Sequence, residues 1–153
     1  MGMAKLLIIY HSQTGNTEQL ALAAQRGAAK ERDCELRVKR AFDAKLEDLL
    51  WCDGVLFGSP ENFGYMCGAI KDFFDRTFYP AEPYELNLPY GLLVSAGNDG
   101  SGAVREMDRI LCGYPMKKVL PDLIAKGEIQ NAHLQQAEEN GEAFASGLCM
   151  GIF

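Results

Sequence analysis

Five short apolar segments alternate with longer amphipathic segments, and this alternation constrains the fold more than any other feature of the sequence. Three of the apolar segments, Leu6–Tyr10, Val55–Gly58 and Gly91–Ser95, are nearly unbroken runs of strand length. Such runs are typical of strands that are covered on both faces of a sheet. The alternation therefore predicts βαβ units, with a parallel sheet between two layers of helices.

The two remaining apolar segments predict the edges of this sheet. Asp33–Lys39 alternates strictly between apolar and charged residues, so one of its faces is expected to contact water. Lys118–Ala125 contains Pro121, and proline inside a strand is tolerated mainly at a sheet edge. With the second and fifth strands at the edges, right-handed crossovers favour the strand order 2-1-3-4-5. We therefore predict a single α/β domain over residues 1–153, with a three-layer, doubly wound, five-stranded parallel sheet.

Apolar residues at helical spacing predict four long helices and one short one. The expected helices cover Thr17–Glu31, Leu46–Leu50, Met66–Phe78, Ser101–Leu111 and Asn131–Leu148. Between the third and fourth strands, Tyr79–Pro89 contains three prolines and is expected to be an ordered loop. The apolar tail Leu148–Phe153 either closes the core or forms a homodimer contact, and the sequence leaves both alternatives open.

Charge and cysteine usage disfavour several classes of function. The net charge of −6 and the lack of a basic stripe argue against nucleic-acid binding. No apolar run approaches the ~20 residues of a membrane helix, so we expect no membrane insertion. Five cysteines without C-x-x-C spacing disfavour a disulfide framework or a zinc site, and predict reduced thiols and a cytoplasmic location. With only two histidines, no metal site is predicted.

The first loop, His11–Thr17, follows the first strand and is suited to hold a phosphate. It places three hydroxyl groups beside the start of a helix, where backbone N–H groups and the helix dipole favour an anion. Gly15 allows the backbone to curl around such a group. The loop matches neither G-x-x-x-x-G-K-[ST] nor G-x-G-x-x-G, so a terminal monophosphate fits it best. Alternatively, Thr14 or Asn16 only caps the helix, which leaves the other polar residues of the loop unexplained.

Two further loops follow the third and fourth strands, and ligands of open α/β sheets bind at this carboxyl edge. The second loop, Ser59–Tyr65, offers the aromatic faces of Phe63 and Tyr65 to a flat ring system. A simple strand-to-helix turn, with Phe63 closing the core, is the alternative. The third loop, Ala96–Ser101, lies in a stretch with three glycines in eight residues. A turn needs one or two such residues, so the excess favours a backbone wrapped against a ligand over a merely flexible loop.

The motifs of these loops resemble those of a known superfamily. The run Ile8–Thr17 is similar to the phosphate signature of the flavodoxin superfamily. The run Gly58–Gly64, followed by Lys71, Phe74 and Asp75, resembles the branch of NAD(P)H-dependent FMN reductases and tryptophan-repressor-binding-protein-like quinone reductases. The resemblance spans nearly the whole chain. It implies a flavodoxin-like fold, FMN as the cofactor, and chemistry at the flavin N5 without a catalytic side chain.

The resemblance also implies cofactor-binding roles for residues of all three loops. Residues of the first loop would bind the phosphate, and residues of the other two would line the two sides of the isoalloxazine ring. The expected cofactor-binding residues are Ser12, Gln13, Thr14, Gly15, Asn16, Thr17, Pro60, Glu61, Asn62, Phe63, Gly64, Ser95, Ala96, Gly97, Asn98 and Gly102. The chain lacks the insertion with which the quinone reductases build tetramers, and the loop that splits the fifth strand of long-chain flavodoxins. Subunit assembly and substrate class therefore stay open.

None of the three loops contains lysine or arginine, whereas Glu61 and Asp99 lie in them. We therefore expect an electronegative site that disfavours the negative charge of reduced flavin and lowers its potential. The lack of a cation also leaves no anchor for the 2′-phosphate of NADPH. The choice between NADH and NADPH as donor stays open.

Two functions from different classes fit these features. The first is an NAD(P)H-dependent oxidoreductase that reduces a quinone, a flavin or a similar small-molecule acceptor through FMN. The second is a short-chain flavodoxin that carries single electrons between redox protein partners, for which small size and acidity are well suited. An FMN-binding assembly or regulatory module is a third interpretation. The second and third loops favour the enzyme, whereas chain length, acidity and the missing insertion favour the carrier.

Overall fold

Strands and helices alternate along the chain in the computed structural model, which describes residues 3–153. The strands are β1 (Ala4–Tyr10), β2 (Cys34–Arg40), β3 (Gly54–Asn62), β4 (Tyr65–Met66), β5 (Leu88–Ala96), β6 (Met116–Lys118) and β7 (Leu123–Lys126). The helices are α1 (Asn16–Ala28), α2 (Leu46–Trp51), α3 (Gly68–Ala81), α4 (Ser101–Leu111) and α5 (Asn131–Met150), with short 3-10 helices at Ala41–Asp43 and Glu82–Tyr84. Every predicted helix is present, and the predicted bounds of α4 are those observed.

The order of the sheet is as predicted. β2, β1, β3 and β5 are neighbours in this order and pair in parallel, and β6 and β7 both pair with β5. β5 is the predicted fourth strand, and β6 and β7 lie at the predicted fifth. In the numbering of the prediction, the observed order is therefore 2-1-3-4-5. The predicted doubly wound parallel sheet is therefore confirmed, with β2 at one edge and β6 and β7 at the other.

The prediction of one continuous fifth strand at Lys118–Ala125 is wrong. β6 pairs with the first residues of β5 and β7 with its last residues, so residues 119–122 interrupt this edge. The interruption contains Pro121, which has no N–H to donate to a strand ladder. The Pro121 carbonyl oxygen instead accepts a hydrogen bond from Nδ2 of Asn140 at 3.4 Å. β7 thus supports the carboxyl end of β5, where the third loop begins.

β3 is longer than the predicted Val55–Gly58 and folds back as a hairpin. It runs to Asn62, turns through two residues and pairs antiparallel with β4. The turn residues Phe63 and Gly64 have φ values of 55° and 70°. Positive φ at both positions is the signature of the type I′ turn, which joins two strands through two residues. The second loop is therefore an ordered β-hairpin (residues 59–66), not a simple strand-to-helix turn.

Most of the predicted loop Tyr79–Pro89 lies in regular elements. α3 continues to Ala81, a 3-10 helix follows, and β5 begins at Leu88. Pro83 lies in the first turn of the 3-10 helix, where a missing N–H removes no hydrogen bond. The three prolines therefore do not prevent regular structure, contrary to the expectation from sequence.

Two apolar cores lie on the two faces of the sheet. α1 and α5 cover one face, and α2, α3 and α4 cover the other. α1 and α5 pack closely because Gly27 and Gly141 lack a side chain: a Cβ on either would collide with a backbone carbonyl of the other helix. This contact fixes the position of α1, whose first residues form part of the candidate site.

The last residue of the chain borders one of these cores. The ring of Phe153 lies 5.7 Å from that of buried Phe144 between centroids, but Phe153 is itself 40% exposed, so closure of the core by the tail stays a prediction. Met150 and Ile152 are exposed, and a homodimer contact through them stays a prediction. No helix within residues 3–153 has the length and apolar character that crossing a membrane requires.

Candidate cofactor site

Three loops meet at the carboxyl edge of the sheet. The first loop follows β1, the hairpin extends β3 and the third loop follows β5, and these strands are adjacent and parallel. The loops are joined pairwise by side-chain hydrogen bonds. Gln13 binds Asn62, Thr17 binds Ser95, and Glu61 binds the start of α4. Each pair of loops is therefore linked directly, and the three form one structural unit.

The first loop ends in an uncapped helix start. Gly15 precedes α1 with φ 99°, a conformation that residues with a side chain rarely adopt. Its N–H donates to Oγ of Ser12 at 3.0 Å, which holds the loop in this turn. Among residues 3–153, no side chain caps the N–H groups that open α1. The helix dipole and these donors favour an anion at this position.

Thr17, whose predicted role at the cofactor stays a prediction, is buried at the start of α1. Its Oγ1 lies 2.8 Å from Oγ of Ser95, another predicted cofactor residue. The two residues are 1% and 5% exposed. Their hydroxyl groups therefore satisfy each other and tie the start of α1 to the end of β5.

The hairpin presents its turn to solvent. Phe63 is fully exposed, so the alternative in which it closes the core is wrong. Nδ2 of Asn62 donates to Oε1 of Gln13 at 3.0 Å, which connects the hairpin to the first loop. Ser59 is buried and its Oγ accepts the N–H of Cys67 at 3.0 Å, which fixes the base of the hairpin. A rigid hairpin thus carries an exposed aromatic ring beside the first loop.

Glu61 is directed away from the open edge and onto α4. Its carboxylate accepts hydrogen bonds from the N–H groups of Gly100 at 2.8 Å, Gly102 at 3.0 Å and Ala103 at 3.2 Å. Gly102 is buried, and a Cβ there would collide with the carbonyl oxygen of Gly64. Glu61 and Gly102, both predicted to bind the cofactor, are therefore engaged in joining the hairpin to the third loop.

The charges of the third loop are also compensated. Hydrogen bonds from the hydroxyl and N–H of Ser101 lower the pKa of Asp99, and the charges of Lys126 and Arg105 lower it further. The carboxylate of Glu61 lies on backbone donors at a helix start, where the dipole favours it. Lys126 and Arg105 thus lie close enough to act on Asp99, which the loop sequences did not show, and the expected electronegative site stays a prediction.

The predicted residues fall into two groups. The open edge carries the exposed or half-buried Ser12, Gln13, Thr14, Gly15, Asn16, Pro60, Asn62, Phe63, Gly64, Gly97 and Asn98. The buried or internally bonded residues are Thr17, Glu61, Ser95, Ala96 and Gly102. The residues of the second group stabilise the loops through contacts inside the protein, whereas those of the first group are accessible to a ligand.

One exposed aromatic residue at this edge was not identified from sequence. Phe42 lies in the 3-10 helix after β2 and contacts His11 edge to face, with 5.9 Å between ring centroids. Arg76 anchors this helix by donating to the carbonyl oxygens of Ala41 at 3.0 Å and Ala44 at 2.9 Å. The sequence offered only a single phenylalanine between Ala41 and Asp43, shortly after a strand, and this signal is too weak to place the ring at the site.

Two clefts lie elsewhere on the surface. One, of about 700 Å³, is at the opposite edge of the sheet and is lined by Asp33, Asp53, Asn87 and Cys149 among others. The second, of about 370 Å³, lies between α3 and α4, beside Phe78 and Tyr79. Neither includes a residue of the three loops. The first group of predicted residues is exposed or half-buried, so the candidate site is accessible from solvent.

The comparisons with known proteins agree with this geometry. Residues 16–128 match the family described as NADPH-dependent FMN reductase. This chain belongs to that family. The resemblance to the flavodoxin superfamily is thereby confirmed, and the chain is a flavodoxin-like FMN-binding protein.

The relatives of this chain have two kinds of name: some are named flavodoxin, and others NAD(P)H dehydrogenase (quinone). A flavodoxin of Aquifex aeolicus (strain VF5) is 42% identical over 73 residues, which are 48% of this chain and 40% of that protein. An NAD(P)H dehydrogenase (quinone) of Acidithiobacillus ferrooxidans (strain ATCC 53993 / BNL-5-31) is 33% identical over 95 residues, 49% of this chain and 48% of that protein. The chain therefore spans about half the length, or less, of these relatives.

Among solved structures, a flavodoxin from the domain Archaea superposes with a TM-score of 0.84 at 22% identity. The alignment covers 94% of this chain and 98% of that one. At this level of identity the likeness supports the fold, and it extends over nearly the whole of this chain.

Proposed function

We propose that the chain holds FMN with its phosphate at the start of α1 and its ring between the hairpin and the third loop. One observation carries this proposal. Gly15, at φ 99°, directs the backbone into a helix start that no side chain of residues 3–153 caps, beside Ser12, Thr14 and Asn16. Neutral donors of this kind suit a monophosphate, which accepts several hydrogen bonds at once.

The ring would lie where the exposed parts of the other two loops face each other. Pro60, Asn62 and Phe63 would line one side, and Gly97 and Asn98 the other. A Cβ on Gly97 would have no neighbour within 4 Å, so the backbone there is open to close approach by a flat ligand. Phe63 offers an apolar face for a ring to cover.

This chain's own residues would bind and orient the cofactor and take no part in bond making. When bound, FMN supplies the hydride and electron chemistry of the reaction. The donors of the first loop would hold the phosphate, the Gln13–Asn62 hydrogen bond would couple that loop to the ring site, and the buried Thr17–Ser95 pair would keep α1 in place.

The proposed activity is that of an NAD(P)H-dependent oxidoreductase that reduces a quinone, a flavin or a similar small acceptor. Membership in a family named for NADPH-dependent FMN reduction supports it, as do relatives named NAD(P)H dehydrogenase (quinone). The openness of the three-loop surface also supports it, because a nicotinamide needs access to one face of the ring. NADH and NADPH are both candidate donors.

A one-electron carrier between redox protein partners is the second candidate. It is favoured by the 42% identity to a protein named flavodoxin. The net charge of −6 would steer such a protein toward a basic partner surface. In that case the same edge would face another protein rather than a nicotinamide.

Flavin titration tests the binding proposal. Purified protein should quench FMN fluorescence and bind FMN more tightly than riboflavin, which lacks the phosphate. Gly15→Ala should weaken FMN binding, because alanine resists the positive φ that the loop needs. Gly151→Ala is a matched control, because Gly151 also has a positive φ and open surroundings but lies at the far end of α5. Equal FMN affinity of both variants would contradict the phosphate site.

Anaerobic mixing with NADH or NADPH separates the two functions. Bleaching of the flavin absorbance within seconds is expected for the oxidoreductase, and a quinone should then restore the absorbance. Flavin that stays oxidised with both nucleotides, but is reduced by a reductase that acts on flavodoxins, would instead support the carrier.

A further inference from the structure

Two helices begin at the carboxyl edge in the same way but differ in what their first N–H groups contact. α1 follows Gly15 at φ 99°, and α4 follows Gly100 at φ 93°. Neither glycine provides a side-chain cap. A carboxylate nevertheless binds the start of α4, because Glu61 accepts hydrogen bonds from three of its N–H groups at 2.8–3.2 Å. The start of α1 has no such side chain among residues 3–153.

The position of Glu61 in the hairpin makes this contact specific. Glu61 pairs with Met66 across the hairpin, two residues before the turn residue Phe63. On the other side of the contact, Gly102 lacks the Cβ that would collide with the carbonyl oxygen of Gly64. The carboxylate and the missing side chain together press the turn of the hairpin against α4. The hairpin is thus held against the start of α4 by the Glu61 hydrogen bonds and by the close approach at Gly102.

We propose that Glu61 is a positioning residue, which holds the hairpin and the third loop at the separation that the flavin ring requires and occupies the start of α4. This inference rests on the proposed function, because it assumes that the ring lies between these two loops. Glu61 would not touch the cofactor. It would act through Gly100, Gly102 and Ala103, and would leave α1 as the helix start available to the phosphate.

The charge of Glu61 matters as well as its shape. A carboxylate accepts hydrogen bonds on both oxygens. Here Oε1 accepts one from the N–H of Gly100, and Oε2 accepts those of Gly102 and Ala103. A glutamine of the same size keeps one acceptor oxygen but turns an NH2 group toward a backbone N–H, which repels it. Charge-assisted hydrogen bonds at a helix start are also stronger than neutral ones. Glu61→Gln should therefore loosen the contact without removing side-chain volume.

Chemical rescue by acetate tests the proposal directly. Glu61→Ala exposes the start of α4 to small carboxylates, which can refill it. The variant should bind FMN and riboflavin about tenfold more weakly than the native protein, and by similar factors, because the ring site and not the phosphate site is disturbed. Rising acetate concentrations should restore part of the affinity for both flavins. Sodium chloride at the same ionic strength should not.

Asp99→Asn is the matched control. It removes one negative charge from the third loop, which Glu61 contacts, but Asp99 bonds within its own turn, to Ser101, and leaves the three N–H groups at the start of α4 in contact with Glu61. Flavin binding by this variant should not respond to acetate. If Glu61→Ala does not fold, Glu61→Gln takes its place, with weaker binding of both flavins as the expected result.

The outcomes separate this inference from the proposed function. A native protein that binds no flavin overturns the proposed function. A native protein that binds FMN, together with a Glu61→Ala variant of equal affinity, overturns only the positioning role of Glu61. A weakened Glu61→Ala variant that acetate does not restore also overturns it, as does a Glu61→Gln variant of native affinity. Loss of FMN affinity alone, with unchanged riboflavin affinity, would assign Glu61 to the phosphate site and overturn the role at the ring.

Discussion

Thr17 and Ser95 join two distant parts of the chain through hydroxyl groups 2.8 Å apart, both buried beneath the carboxyl edge. Thr17 opens α1 after β1, and Ser95 lies near the end of β5, with β3 between the two strands. Gly58 of β3 leaves room for this contact, because a Cβ there would approach the methyl group of Thr17 to 3.2 Å, closer than most Cβ contacts. Besides the apolar core, this polar contact across the sheet therefore helps to hold the three loops in place.

Removal of either hydroxyl should destabilise the protein in a coupled way. Thr17→Val or Ser95→Ala leaves the partner hydroxyl buried without a hydrogen bond, which costs about 1–3 kcal/mol. The double variant should lose less than the sum of the two single losses, because the second change removes the group that the first left unpaired. Urea unfolding of the flavin-free protein measures all four free energies. Losses that add to within about 0.5 kcal/mol would contradict the pair.

Gly102 should tolerate a side chain much less well than Gly97. A Cβ on Gly102 collides with the carbonyl oxygen of Gly64, whereas a Cβ on Gly97 has no neighbour within 4 Å. Gly102→Ala should therefore lower the free energy of unfolding by about 1–3 kcal/mol, the usual effect of overpacking. Gly97→Ala, the same substitution in the loop that precedes α4, should change it by about 0.5 kcal/mol or less. Thermal unfolding of the two flavin-free variants side by side measures this difference, and similar melting temperatures would show that α4 and the hairpin can separate freely.

Phe63 should show a conflict between stability and binding. A phenylalanine at φ 55° is strained, whereas asparagine followed by glycine is the preferred pair for a type I′ turn. Phe63→Asn should therefore stabilise the flavin-free protein by about 1 kcal/mol. It should also weaken FMN binding about tenfold, because the exposed ring can no longer cover the flavin.

Phe63→Tyr is the control for that substitution. It keeps both the aromatic ring and the backbone strain, so both the stability and the affinity should stay close to those of the native protein. Urea unfolding and FMN titration of the two variants measure the two effects separately. A Phe63→Asn variant that is more stable and binds FMN with native affinity would show that Phe63 has no role at the ring.

The sequence predicted where the site lies better than it predicted which side chains face it. Strand order and the three loops followed from apolar runs and from polar, glycine-rich residues at strand ends, both of which are local patterns. The inward positions of Thr17 and Ser95 and the contact of Glu61 with α4 depend on residues 39 to 78 positions apart, whose proximity no local pattern encodes. The hairpin was missed because it is short: β4 has only two residues, and they pair with only the last two residues of β3, which is too few to show hydrophobic periodicity.

Stability should fall at alkaline pH, and Tyr90 should contribute to this fall. Burial raises the pKa of Tyr90 above its ordinary value of 10.0, and the hydrogen bond to Asp108 at 2.6 Å raises it further. The folded protein therefore holds the phenol proton more tightly than the unfolded chain does. The resulting stabilisation is complete below pH 10 and is lost as the pH rises above it.

Tyr90→Phe tests this pH dependence. The variant loses the hydrogen bond to Asp108 and should be less stable than the native protein at neutral pH. Its free energy of unfolding should nevertheless decline less steeply above pH 10, because the titrating group is gone. Denaturant unfolding at a series of pH values gives both slopes. Parallel slopes would assign the alkaline loss to other groups, such as Tyr114, whose pKa burial also raises.

FMN binding should depend strongly on the phosphate and weakly on salt. The first loop holds no lysine or arginine, so its donors are hydroxyl, amide and backbone N–H groups. Several hydrogen bonds to an ionised phosphate should make FMN bind about a hundredfold more tightly than riboflavin. Salt screens pairs of full charges far more than it weakens short hydrogen bonds from a helix start. A tenfold increase in sodium chloride should therefore change the FMN dissociation constant by less than about threefold, as measured by fluorescence titration. A steep loss of affinity with salt would mean that a cation such as Lys126 or Arg105 holds the phosphate, and would move the anion site from α1 to the third loop.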